Sequence, residues 1–212
     1  MELHNFFRSG TSHRLRIALN LKGLATRYVA VDLRSEQHLA PDYRRINPQA
    51  LVPALVDDDG HIMTQSPAII EWLEEVHPRP PLLPSEPEGR AHVRALAAII
   101  GCDVHPVNNR RILEALRSRF GADQTTIKAW SQTWIADGFD AYEALLKREG
   151  RGDRFSFGDA PTLADVYLVP QIESARRFDV DLGRWPLIMA VDAACAELEA
   201  FQRAAPSVQP DA

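Results

Sequence analysis

The sequence divides into a small α/β unit followed by an all-helical unit. Through residue 76, short strand patterns alternate with helical ones in the order β-α-β and then β-β-α. Beyond about residue 90 the apolar residues recur at helical spacing, and no strand pattern is convincing. Between the two lies His77-Pro-Arg-Pro-Pro-Leu-Leu-Pro-Ser-Glu-Pro-Glu-Gly89, whose five prolines read as a linker. The expected domains are 1–80 and 88–212.

The elements follow from local chemistry. Residues 1–7 form a half-apolar strand pattern. A turn with Ser9, Gly10, Thr11 and Ser12 then feeds a helix over 12–22. Leu15, Ala18 and Leu19 make one stripe of that helix, widened by Ile17 and Leu21, and Gly23 is a natural stop. Residues 27–33 are rich in β-formers, whereas Arg34 to Asn47, with His38, is polar and irregular. After Pro48 comes a short apolar strand interrupted by Pro53. Proline cannot donate to a ladder, so Val52-Pro53 enters an edge strand or a cis turn. Asp57-Asp-Asp-Gly60 signals a hairpin, and residues 61–64 are its return strand. Ser66 is a cap residue with Pro67 at the first helical position, and Ile69, Trp72, Leu73 and Val76 keep helical spacing.

In the second part, Val93, Leu96, Ala97, Ile100 and Val104 form a stripe that continues past Pro106 to Leu116, with a bend expected at the proline. Thr125 to Leu146 is a second long helical run. Thr162 and Asp165 have the spacing of a capping box. A last helix is expected from about Leu187 to Ala204, followed by a frayed tail, 205–212.

The totals bound the function. A net charge of −5 and a pI near 5.8 argue against a nucleic-acid binder. No apolar run approaches the roughly 20 residues that span a bilayer, and the N-terminus lacks a secretory pattern. Cys102 and Cys195 suggest neither a disulfide framework nor a metal site, so no metal is expected and a reducing cytoplasm is the simplest home. Cys102 reads as a small buried hydrophobe.

The 8–23 junction is where chemistry is to be sought. Helix N-termini hold anions, and a thiolate there, with a hydroxyl donating to it, is favoured over the thiol. The loop contains no cysteine, so a working thiolate must arrive on a small molecule. Taken alone, Ser9, Thr11 and Ser12 read first as ordinary helix-capping residues.

Ser9-Gly-Thr-Ser-His-Arg-Leu-Arg16 resembles the signature of the zeta-class glutathione transferases, which in most members reads Ser-Ser-Cys-Ser-aromatic-Arg-Val-Arg. Asn47-Pro-Gln, Val52-Pro53, Gln65-Ser66 before Ile-Ile-Glu-Trp-Leu, and the Thr162/Asp165 box match the same family. The resemblance covers nearly the whole chain. Asp103-Val-His-Pro-Val-Asn-Asn-Arg-Arg111 looks most like its bacterial maleylpyruvate isomerase branch, with maleylacetoacetate isomerases as near neighbours. The chain departs from the signature at Gly10, for serine, and at Thr11, for cysteine.

The resemblance implies a thioredoxin-like α/β domain plus an all-α domain, glutathione as cofactor and a homodimer. It assigns glutathione to Ser9, Gly10, Thr11, His38, Val52, Gln65 and Ser66, with further contributions from Asp103, His105, Asn109, Arg110 and Arg111. Ser9 and Thr11 would face the sulfur, Gln65 and Ser66 the γ-glutamyl end, the Val52 backbone the cysteinyl part, and His38 the glycine carboxylate. Arg8 and Arg176 join Ser9 and Thr11 as catalytic candidates, because guanidinium forks bind the carboxylates of a dianionic cis-enone. The implied reaction is cis–trans isomerisation of maleylpyruvate to fumarylpyruvate in gentisate-type catabolism, by thiolate addition, rotation and elimination. The alternatives are a maleylacetoacetate isomerase, a detoxifying glutathione transferase, and a non-enzymatic regulator on the same scaffold.

Overall fold

The computed structural model describes residues 1–149 and 154–212. Contacts divide the chain into two units, Met1–Leu82 with Glu197–Ala212, and Leu83–Ala196.

The first unit runs β1 (Glu2–Asn5), α1 (Gly10–Leu21), β2 (Arg27–Ala30), a 3-10 turn (Gln37–Leu39), α2 (Pro41–Ile46), β3 (Ala54–Val56), β4 (Ile62–Thr64) and α3 (Ser66–Val76). The sheet order is β2-β1-β3-β4. β1 and β2 are parallel with Leu3 opposite Tyr28, and the α1 crossover makes that pairing possible. β3 runs antiparallel to β1 and forms a hairpin with β4. Of the two outcomes open at Pro53, the cis peptide occurs, and β3 lies inside the sheet. The polar 34–47 stretch contains α2, which starts at Pro41 and buries Tyr43. Pro41 at the first helical position was the signal for it.

α1 departs from the single-stripe expectation, because every residue from Ser12 to Leu19 is buried. One face packs on α3, whose Ile69, Ile70 and Leu73 are buried. The other is covered by the helix Glu199–Ala204, whose Phe201 and Ala204 are buried. By its contacts the C-terminal segment, expected within 88–212, groups with the first unit. Helical periodicity identifies a buried face but not what the face is buried against. Arg16 donates to the Ala204 carbonyl at 3.0 Å, closing an orphan group at the end of that short helix, and Asn20 donates to the Ala200 carbonyl at 2.9 Å. The buried Lys22 ammonium pairs with Glu74 and donates to the His77 and Pro80 carbonyls, fastening the end of α1 to α3 and to the chain beyond it.

The second unit contains α4 (Pro87–Ala98), a π-helical segment (Ile99–Val104), a single turn α5 (His105–Val107), α6 (Arg110–Phe120), α7 (Gln124–Glu149), α8 (Leu163–Arg177), a 3-10 turn (Leu182–Arg184) and α9 (Pro186–Ala196). It has no strand among the described residues. The bend expected at Pro106 is larger than a kink: the helix widens before the proline and breaks after it, at Asn108. Pro106 lacks the N–H that would reach back to the preceding turn. Cys102 is exposed, contrary to expectation, because Ile100 and Val104 take the buried face of that segment. The Asp165 carboxylate accepts from the Thr162 amide at 2.6 Å, the Thr162 hydroxyl at 3.0 Å and the Ser156 amide at 2.8 Å. Burial raises its pKa, and those hydrogen bonds oppose the rise.

The helix expected over 187–204 is two, α9 and the Glu199–Ala204 helix, hereafter α10. Leu198 breaks them apart with an extended backbone. The tail after α10 is not frayed: Gln209 donates to the Arg203 and Ala205 carbonyls, both at 2.8 Å, and Asp211 accepts from the Phe7 amide at 3.1 Å.

Candidate functional site

Ser9 caps α1 from an extended backbone, with its hydroxyl accepting from the Ser12 amide at 3.3 Å. The same oxygen lies 2.9 Å from Thr11 Oγ1, and Thr11 Oγ1 donates to the Val52 carbonyl at 2.8 Å. A hydroxyl has one proton to give. The Thr11 proton is committed to Val52, so Ser9 is the donor in the Ser9–Thr11 contact. Ser9 is therefore the hydroxyl that can turn its proton toward an incoming anion. Thr11 is a strut between the turn and the approach to β3, whereas the sequence places both hydroxyls at the sulfur. No acidic residue stands in the first turn of α1 to offset its positive end. Gly10 opens the helix and lies outside the positive-φ region, so the turn does not need its extra backbone freedom.

Gln65 and Ser66 form a second helix N-terminus. Gln65, rather than Ser66, is the cap, held at φ 68° and ψ 106°. A side-chain-bearing residue in that region stores strain of about 1–3 kcal/mol, a pattern that clusters at ligand clamps. The Gln65 side-chain Nε2 donates to Gln49 Oε1. Ser66 is buried on the first turn of α3, which likewise lacks an acidic residue. Arg14 donates to Ser66 Oγ at 3.3 Å from a fully buried position. Val52 serves two purposes. Its side chain packs with Phe6, Val31 and Tyr43, and its carbonyl holds Thr11. His38 sits half-buried in the 3-10 turn before α2. Arg8 is exposed beside the Ser9 turn.

In the second unit, Asp103 is exposed on the π-helical segment and His105 opens α5. Asn109 caps α6, accepting from the Arg111 amide at 3.1 Å. Arg110 and Arg111 are exposed on the first turn of α6, so they stand on a different helix from His105 and not one turn further along the same one. Arg176, at the end of α8, pairs with Asp192 and lies 3.5 Å from Glu173. A guanidinium has five donors, so its fork keeps capacity beyond those contacts. At the β3–β4 turn, Asp57, Asp59 and His61 bring ligand-type atoms within 4.8 Å of one another, but the Asp57 carboxylate already accepts from the Asp59 and His61 amides.

Sequence reasoning missed the buried arginines. Arg14 backs Ser66, and Arg16 holds the Phe6 and Phe7 carbonyls at 3.5 and 3.0 Å and Asn5 Oδ1 at 2.9 Å. The available signal was an Arg-Leu-Arg triplet inside an otherwise apolar helix.

Residues 8–76 match the family model for the glutathione S-transferase N-terminal domain, and residues 110–203 match that for its C-terminal domain. A maleylpyruvate isomerase from Ralstonia sp is 65% identical, covering 100% of this chain and 99% of that one. A maleylacetoacetate isomerase from Pseudomonas aeruginosa is 46% identical, covering 100% and 98%. Among solved structures, the holo form of a zeta-class bacterial maleylpyruvate isomerase superposes with a TM-score of 0.98 at 65% identity, covering 100% of both chains. A maleylacetoacetate isomerase from Anaeromyxobacter dehalogenans with glutathione bound in its active site superposes at 0.89 with 46% identity, covering 100% of this chain and 97% of that one. With both of its halves matched and its whole length shared with such relatives, the chain belongs to the glutathione S-transferase family and, within it, to the zeta class.

Proposed function

We propose that the protein is a glutathione-dependent cis–trans isomerase that converts maleylpyruvate to fumarylpyruvate. The observation that carries this reading is the 65% identity to a maleylpyruvate isomerase along the entire chain. The site supports it, because two helix N-termini free of acidic residues, a hydroxyl with a proton to redirect, and no cysteine in the turn suit a thiol tripeptide that brings its own sulfur and carboxylates.

When bound, glutathione supplies a thiolate that adds reversibly to the cis double bond, so that the bond rotates as a single bond. The chain's residues do the rest. Ser9 donates to the sulfur and, with the positive end of α1, favours its ionised form. Thr11 keeps Ser9 aimed. Gln65 and Ser66, backed by Arg14, receive the γ-glutamyl carboxylate at the α3 N-terminus. The Val52 backbone lies along the cysteinyl part, and His38 meets the glycine carboxylate. Asp103, His105, Asn109, Arg110 and Arg111 are assigned supporting contacts. Arg8 and Arg176 take the carboxylates of the substrate and stabilise charge as it develops. A homodimer and a cytoplasmic location are part of the same reading; the dimer is checked by light scattering.

The test feeds maleylpyruvate and maleylacetoacetate separately, with and without glutathione, and follows the double bond by NMR. Trans product from maleylpyruvate, with free glutathione constant, is expected. Faster turnover of maleylacetoacetate would favour the second reading, which the 46% identity to a maleylacetoacetate isomerase supports. Net consumption of glutathione would instead indicate conjugation.

A further inference from the structure

We propose that the C-terminal tail belongs to the active-site machinery, with Asp211 as a positioning residue that holds the turn carrying Ser9. The proposal rests on the assignment of Ser9 to the glutathione sulfur. It starts from a geometric need. β1 ends at Asn5, whose carbonyl still accepts from the Val31 amide at 2.8 Å. Past that point the ladder stops, and the peptide groups leading to Ser9 need other partners.

The tail and α1 supply them. Asp211 Oδ2 accepts from the Phe7 amide at 3.1 Å, and Asp211 Oδ1 accepts from the Tyr28 hydroxyl on β2. On the other side of the same residue, the Phe7 carbonyl accepts from Arg16 at 3.0 Å. The Phe6 carbonyl accepts from the Ser9 amide at 3.1 Å and from Arg16 at 3.5 Å. Phe7 is thus gripped at both its N–H and its C=O, two residues ahead of Ser9, by an anion from the tail and a cation from α1.

Arg16 also donates to the Ala204 carbonyl, so one buried guanidinium links the turn to the helix from which the tail departs. Burial pulls the Arg16 guanidinium down to about 10, and the nearby Tyr28 and Asp211 oppose that pull. The tail is held at its base as well, by Gln209 on the Arg203 and Ala205 carbonyls and by the Ala212 amide on the Gln209 carbonyl at 3.2 Å. Removing the carboxylate leaves the Phe7 N–H and the Tyr28 hydroxyl to find new partners, and the turn loses one of its two grips.

The experiment titrates the thiol of bound glutathione by thiolate absorbance across pH, in the full-length protein and in Asp211→Ala, Asp211→Asn, Tyr28→Phe and Ser9→Ala variants, alongside kcat, KM and Tm. Asp211→Ala is expected to raise the bound thiol's pKa by about one unit, which leaves roughly threefold to tenfold less thiolate at neutral pH. Its kcat should fall in parallel, with KM for the dicarboxylate little changed. Asp211→Asn keeps an oxygen acceptor for the Phe7 amide and should recover most of the loss. Tyr28→Phe retains the carboxylate with one anchor fewer and should shift the thiol in the same direction by a smaller amount. It keeps the question answerable if Asp211→Ala does not fold. A normal wild-type shift that is abolished by Ser9→Ala, yet unchanged in Asp211→Ala and Tyr28→Phe while only Tm falls, overturns the proposal and leaves the Ser9 assignment standing. A wild-type titration no different from that of free glutathione, or one indifferent to Ser9→Ala, overturns both.

Discussion

The proton of a single hydroxyl separates Ser9 from Thr11. Both side chains are the right type to meet a sulfur anion, and only their hydrogen-bond partners tell them apart. The same reasoning sharpens expectations for Arg176, which already serves Asp192 and Glu173. Arg176→Ala should raise KM for the dicarboxylate roughly tenfold to a hundredfold, the loss of one charge-assisted contact, with glutathione binding spared. It should also cost about 1–2 kcal/mol of stability, because the mostly buried Asp192 carboxylate loses its cation, discounted for the half-exposed arginine. Steady-state kinetics with each substrate varied, together with a denaturant titration, separate the two effects. An equal loss of glutathione and dicarboxylate use would count against the substrate role.

A second residue-scale expectation concerns pH. Burial in β1 depresses the His4 pKa below 6.5; Glu2 opposes that shift and Arg27 adds to it. A depressed folded-state pKa means that the unfolded chain takes up the proton first. The His4 contribution is therefore present above pH 6.5 and is lost as the pH falls through the lowered folded value. The drop in Tm between pH 7.5 and 5.5 should be smaller in His4→Gln than in the wild type.

Among elements, the contact between α7 and the π-helical segment is the tightest to call on. A Cβ at Gly138 would stand 2.1 Å from Val104 Cγ2, and Val104 is buried. Glycine to alanine in a helix interior ordinarily gains about 1 kcal/mol, while overpacking a filled core costs about 1–3 kcal/mol. With so short an approach the clash wins, so Gly138→Ala should destabilise by about 1–2 kcal/mol. Adding Val104→Ala should recover part of that loss in a double-mutant cycle read by denaturant unfolding. This scale also shows what was legible in the sequence. The β-α-β and β-β-α order, the long α7 and the hairpin all followed from period and turn chemistry, and the α3 start followed to within one residue, its cap being Gln65 and not Ser66. The break after Pro106 was located but underestimated, and the break at Leu198 left no mark, since neither proline nor glycine stands there. Thr162 and Asp165 showed their spacing, but Ser156 as a third partner of that carboxylate is a long-range contact that no local pattern contains.

For the molecule as a whole, the chain leaves its first unit at Leu82 and returns to it at Glu197. Of the residues proposed for the site, Ser9, Thr11, Val52, Gln65 and Ser66 lie in local motifs, whereas the contacts of Arg16 and Asp211 reach across the fold and left no local mark. A chain ending at Ala196 should lose the cover over α1. Burying Phe201 alone is worth about 1.5–3 kcal/mol, and Arg16 and Asn20 lose their carbonyl partners with it. Hydrogen exchange should then show the α1 amides losing protection while those of α7 keep theirs. Equal protection in both would show that α10 is dispensable.

That return path has a cost during synthesis. Once residues 1–82 have emerged from the ribosome, another 114 must be translated before Glu197 appears, a delay on the order of 10 s at ordinary elongation rates. Through that interval the nascent sheet unit has one flank of its first helix bare, a surface that a chaperone would recognise. A slow codon placed anywhere in the intervening stretch lengthens the exposure.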